Sequence, residues 1–144
     1  MTLQFFDMEH EDTNPRNGTT ASSADELISL LEDARRRDTK PFCIRLAASD
    51  GYELGIGIGD PGFVQHEPSN GNGPCLIAVR PGVVDDDEVN YADDEERGPV
   101  PEFLAGGTPS PIPWRFALPF DLVKKIAVEY LETGKRSRAV TWYG

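Results

Sequence analysis

The sequence predicts an α+β fold in a single domain of residues 1–144, with a mostly antiparallel sheet of about five to seven strands and two helices packed on it. Three observations predict it. Residues 23–37 and 120–134 repeat apolar side chains at helical spacing, whereas several segments between and beyond them alternate apolar and polar with a period of two. An Asp50-Gly51 pair between two such segments supplies the tight turn of an antiparallel hairpin. The length of 144 residues suits one ordinary domain with a sizeable core.

Taken in order, residues 1–22 form a short apolar strand, Leu3 to Phe6, followed by a loop rich in turn formers, "EDTNPRNGTTASS". The first helix follows. Ser23 is placed to cap the backbone N–H of Glu26 while Glu26 reaches back to Ser23, and Leu27, Leu30, Leu31 and Ala34 share one face. Arg35, Arg36 and Arg37 close it at the carbonyl end of the dipole. The strands "PFCIRLAAS" and "YELGIGIGD" then pair, the second with Leu54, Ile56 and Ile58 on one face and a bare glycine face on the other.

A third strand, "GFVQHE", and a fourth, "CLIAVR", precede a loop at residues 84–100. Downstream, Ile112, Trp114, Phe116 and Leu118 alternate in a proline-punctuated strand. The second helix carries Leu122, Val123, Ile126, Ala127, Tyr130 and Leu131 as its apolar stripe and Gly134 as its stop. A closing strand, "RAVTWYG", places Val140 and Trp142 together. Trp114 and Trp142 are expected in the core, and Tyr143 outside it. Cys43 and Cys75 read as reduced core thiols of a cytoplasmic protein.

The net charge is −11, and residues 85–96 alone supply eight of those negative charges without one basic residue. The acidity is local. Such a surface repels phosphate backbones and anionic lipid, which argues against direct nucleic-acid or membrane binding and for a basic partner. There is no 18-residue apolar run and no basic n-region ahead of an apolar core.

The acidic run comprises Asp85, Asp86, Asp87, Glu88, Asp93, Asp94, Glu95 and Glu96, with Tyr91 at its centre and Val89 nearby. A calcium loop starting at Asp85 fails at its fifth and sixth positions, which hold Val89 and Asn90. A solvated loop is the plain reading of such a run. Tyr91 supports another: an amphipathic ring among carboxylates anchors a basic protein surface while the charges steer encounter. "GIGIG" lacks the lysine of a phosphate loop and opens no helix. Neither His10 nor His66 lies in a recognisable catalytic motif, and no cofactor or metal is implied; His66 beside Glu67 leaves a small hydrolase as the alternative. A generic acidic protein-binding module is a further one.

The C-terminal third adds a likeness. Gly107, Thr108, Pro113, Pro119, Glu129, Thr133, Gly134, Arg136, Val140 and Trp142, within "FLAGGT", "PIPWRFALP" and "AVEYLETGKRSRAVTWYG", give a pattern that resembles the first numbered family of immunity proteins in bacterial polymorphic toxin systems. Where members commonly have a proline after the Thr-Gly-basic turn, this chain has Ser137. The resemblance implies a small cytoplasmic α+β protein, not an enzyme, that binds and blocks one cognate toxin domain, often a nuclease or nucleic-acid deaminase. Both lines converge on the acidic run, with Tyr91, as the toxin-binding segment of a one-to-one complex.

Overall fold

The computed structural model describes residues 1–144, and its chain order is β1 (Leu3–Asp7), β2 (Thr20–Ala21), α1 (Ala24–Arg37), β3 (Phe42–Ala48), β4 (Tyr52–Ile58), β5 (Phe63–Pro68), β6 (Leu76–Val79), α2 (Asp87–Arg97), β7 (Glu102–Ala105), β8 (Thr108–Pro111), a 3-10 turn (Trp114–Phe116), α3 (Phe120–Thr133) and β9 (Thr141–Tyr143). The α+β class holds. The sheet has nine strands, more than expected, in the order β2-β1-β3-β4-β5-β6-β9, with β7 and β8 branching from β3. All pairings are antiparallel except β3 with β7, where Phe42 meets Leu104 just beyond the point at which β1 stops at Asp7 opposite Ile44. β9 is a free edge.

Helices α1 and α3 lie side by side on one sheet face. Leu27, Leu30 and Leu31 from α1 and Val123, Ile126 and Leu131 from α3 close over Phe5, Ile44, Leu46, Leu54 and Ile56 in one buried cluster. Each fully buried aliphatic side chain contributes about 1.5–3 kcal/mol relative to exposure. Both helix ends follow from local chemistry. Ser23 Oγ accepts the Glu26 N–H at 3.2 Å, and the Glu26 carboxylate accepts the Ser22 and Ser23 hydroxyls rather than the Ser23 N–H, so half of the expected capping box is formed. Gly134 ends α3 at φ +71°, in the left-handed region that favours glycine.

Two expected elements differ. Residues 112–118 are not a strand: the chain makes the β7–β8 hairpin through Gly106-Gly107 and then the 3-10 turn, because Pro113, directly after β8, lacks a ladder donor and opens the turn at Trp114. Ile112, Phe116 and Leu118 are buried as their spacing suggested, whereas Trp114 is only half-buried. Residues 84–100, read as a loop, contain a third helix, α2. The supposed core thiols also part company: Cys43 is half-buried and Cys75, just outside β6, is exposed. Burial, with the Glu9 carboxylate nearby, pushes the Cys43 thiol up to about 11, away from the thiolate form.

The glycine face of β4 is not bare. A Cβ on Gly57 would collide with the Phe63 ring and come within 2.8 Å of Phe103, and these rings form an edge-to-face pair with centroids 4.8 Å apart. Phe63 and Phe103, with Ile112 and Phe116, make a second small core on the face opposite the helices. The β7–β8 hairpin is thereby held down.

A polar clasp fastens the N-terminal loop. Asp7, buried at the end of β1, accepts the His10 N–H at 2.9 Å and the Asn14 side-chain amide at 3.0 Å. The His10 ring bridges two carboxylates, Nδ1 to Asp7 Oδ2 at 3.0 Å and Nε2 to Asp38 Oδ2 at 2.9 Å, so the doubly protonated ring satisfies both. Partial burial opposes that charge, but the hydrogen bonds to Asp38 and Asp7 outweigh it and raise the ring's pKa above 6.5. A raised histidine pKa gives stability that is complete below the unfolded value and lost as pH rises through the folded one. The advantage in melting temperature over His10→Gln is therefore expected to shrink as pH increases beyond about 6.5. A gap that stays constant across that range would mean that the ring is held neutral.

Candidate functional site

The acidic run becomes a helix because its ends are capped, not because it has an apolar face. Asp86 Oδ1 accepts the Val89 N–H at 3.2 Å, Asp87 and Glu88 sit in the first turn against the positive end of the dipole, and Arg97 occupies the last. Gly98, at φ +83°, closes it by donating its N–H to the Asp94 carbonyl at 3.1 Å. No residue of α2 is buried. An isolated helix of this length is marginal in water, so side contacts must hold it.

Those contacts come from one edge. Asp93 receives Arg97 Nε at 2.9 Å and Arg80 at 3.1 Å, tying α2 to the end of β6. Trp114, on the 3-10 turn, donates its indole N–H to the Gly98 carbonyl at 3.1 Å, and Arg97 lies over its ring at 5.9 Å. Arg115 reaches Asp87 at 3.6 Å from the same turn, with Asn90 donating to the Val84 carbonyl at 3.2 Å.

The rest of α2 faces outward. Tyr91 is 72 % exposed, and helical spacing places Asp87, Glu88, Asp94 and Glu95 around it at three and four residues' distance. Asp85, Asp86, Glu88, Glu95 and Glu96 are exposed; Asp93 and Asp94 are half-buried against the body. The nine predicted residues thus divide. Tyr91 and most of the acids share an accessible surface, whereas Asp93 is occupied by two arginines and Asp86 by the cap.

Sequence reasoning missed what lies beside this helix. A groove of about 390 Å³ runs between it and the sheet edge, lined by Val84, Arg115, Phe116, Trp142 and Tyr143, with Asn90 from α2. Arg115 spreads over the Phe116 and Tyr143 rings at 4.7 and 4.6 Å. Tyr143, exposed as its phase in the final strand suggested, forms the outer lip. The only sequence signals were Val84 outside any strand and the phase of Tyr143, neither of which places the two side by side.

The alternative centre at His66 does not assemble. On β5, His66 lies opposite Leu54 and Glu67 opposite Glu53, so the two neighbours point to opposite sheet faces. The His66 ring stacks on Tyr52, with centroids 4.9 Å apart, and meets Tyr130 edge-on at 5.4 Å. Burial lowers its pKa, with the Arg136 charge adding to the effect. It is a packed ring in an aromatic cluster, not a base oriented by Glu67.

The residues carrying the immunity-protein pattern have structural duties near this surface. Glu129 on α3 accepts the Ser137 hydroxyl, and the Trp142 indole donates to the Ser137 carbonyl at 3.0 Å, so both pin the turn before β9. Ser137 takes part through its own oxygens at the place of the missing proline. No helix is long and apolar enough to cross a membrane. Comparison with curated proteins and with solved structures gives no match. The family model described as "Immunity protein Imm1" matches residues 16–144, taking in α2, the groove and the whole C-terminal third. With nearly its full length inside that match, the chain belongs to the Imm1 family of immunity proteins.

Proposed function

We propose that this immunity protein neutralises a cognate toxin domain by laying α2 and its flanking groove over a basic cleft, one molecule to one, in the cytoplasm and without catalysis. The observation that carries the reading is α2 itself: a projecting helix that buries nothing, presents carboxylates around an exposed tyrosine and contributes little to the core. A toxin that acts on nucleic acid, whether a nuclease or a deaminase, needs a positive substrate cleft. Carboxylates on α2 would raise the rate of encounter, while Tyr91 and the apolar groove would set the lifetime of the complex.

The test is affinity capture of the tagged chain from its native cytoplasm at low and high salt, with bound proteins identified by mass spectrometry. One toxin-like protein, retained at high salt in equal amount, is the expected result. A broad set of basic proteins, all released together by salt, would instead make α2 a generic acidic surface.

A further inference from the structure

The chain carries a second charged feature, opposite in sign and remote in register from α2. β6 pairs with β9 so that Val79 meets Thr141 at the end beside the groove, while Leu76 lies at the other end of β6. At that far end a cavity of about 430 Å³ is bordered by Tyr52, His66, Lys135, Arg136, Arg138 and Asp50. Three cations thus converge on one hollow of a protein whose net charge is −11.

These cations are uncommitted. Arg80, Arg97 and Arg115 around α2 all pair with carboxylates, whereas Lys135, Arg136 and Arg138 make no ion pair. They stand on a turn that does not drift: Gly134 sets its start in the left-handed conformation, and Glu129 and Trp142 hold Ser137 between the two arginines. Asp50, the acid at the rim, is already engaged, accepting the Tyr52 N–H at 2.9 Å and the Tyr130 hydroxyl at 3.3 Å. Those neutral donors leave Asp50 its charge, but three cations against one carboxylate give the hollow a positive excess.

Its wall is a flat aromatic platform. Tyr52 lies parallel to His66 within 10°, and Tyr130 closes the back of the stack edge-on. Tyr52 remains 42 % exposed, so the platform retains an accessible surface. Arginine guanidinium groups match phosphate oxygens in their fork geometry, an aromatic plane accepts a base by stacking, and the volume lies within the range of small-ligand sites.

We propose that this hollow binds a nucleoside monophosphate, its phosphate on Arg136, Arg138 and Lys135 and its base against Tyr52. The site is separate from the toxin-binding surface proposed above. Titration calorimetry of the full chain at low salt, with AMP, ribose 5-phosphate and inorganic phosphate as separate probes, tests it. AMP is expected to bind with a submillimolar Kd. The double variant Arg136→Gln, Arg138→Gln is expected to weaken AMP by at least about tenfold. Tyr52→Ala should weaken AMP by about tenfold while leaving ribose 5-phosphate unchanged. All these positions are exposed, and unchanged circular dichroism melts will show that each variant folds. Absence of heat with AMP at millimolar concentration overturns the proposal. So does AMP binding that survives the double variant, or inorganic phosphate binding as tightly as AMP.

Discussion

Changing Asp85 to Asn together with Glu88, Glu95 and Glu96 to Gln is expected to slow association with the toxin by about 30-fold at 10 mM salt, and by less than about threefold at 1 M. The choice of residues follows from the geometry of α2. Asp86 caps the helix, Asp87 meets Arg115 and Asp93 holds Arg80 and Arg97, so these three are left in place to keep the helix formed. The four changed acids are exposed, and their field decays over a Debye length of about 30 Å at the lower salt and about 3 Å at the higher. Tyr91→Ala should do the reverse, leaving the association rate nearly unchanged and shortening the lifetime of the complex by at least about tenfold. Stopped-flow association and surface-plasmon dissociation separate the two. Equal association rates for parent and variant at low salt would remove these acids from the interface, and an unchanged lifetime for Tyr91→Ala would remove the ring.

Gly57→Ala is expected to destabilise the fold by about 2–3 kcal/mol, whereas Gly55→Ala, two residues earlier on the same strand face, should be neutral or stabilising by about 0.5 kcal/mol. The contrast rests on what covers each glycine. At Gly57 the added methyl meets Phe63 and Phe103, rings only 3 % and 0 % exposed, whose edge-to-face pairing leaves them little room to move. At Gly55 it meets only the Gln65 side chain, at 3.4 Å, an ordinary contact with a flexible partner. Loss of the pair at Gly57 also loosens the β7–β8 hairpin, which reaches the sheet through a single parallel pairing at Phe42 and Leu104. Urea denaturation of both variants checks this. Equal midpoints would show that the second small core adjusts freely.

Much of the architecture was legible wherever the hydrophobic pattern and the local caps agree. α1 combines Ser23 with leucines at helical spacing, α3 ends at Gly134, and the β3–β4 hairpin turns at Asp50-Gly51 as those residues dictate. α2 escaped because its helicity comes from end chemistry and Asp93 ion pairs, and an apolar periodicity search is blind to both. The signals were present in Asp86, three residues before Val89, and in Gly98. The segment from Ile112 to Leu118 misled in the opposite way: its alternation is real and three of its four positions are buried, but they are delivered by a turn. The candidate surface was legible in its charges and in Tyr91. The apolar groove was not, since it joins Val84 before α2 to Tyr143 in β9, and only the β6–β9 pairing brings those segments together.

That α2 buries none of its own residues separates two kinds of selection that usually constrain each other. In a helix with a buried stripe, most substitutions are judged first by folding, and new specificities must be sought among the few that survive. Here Glu88, Tyr91 and Glu95 can be exchanged without opening a cavity or stranding a polar group, provided the caps at Asp86 and Gly98 and the Asp93 tether remain. The helix proposed for recognition is thus free to change its outward residues while the core on which it is mounted stays the same.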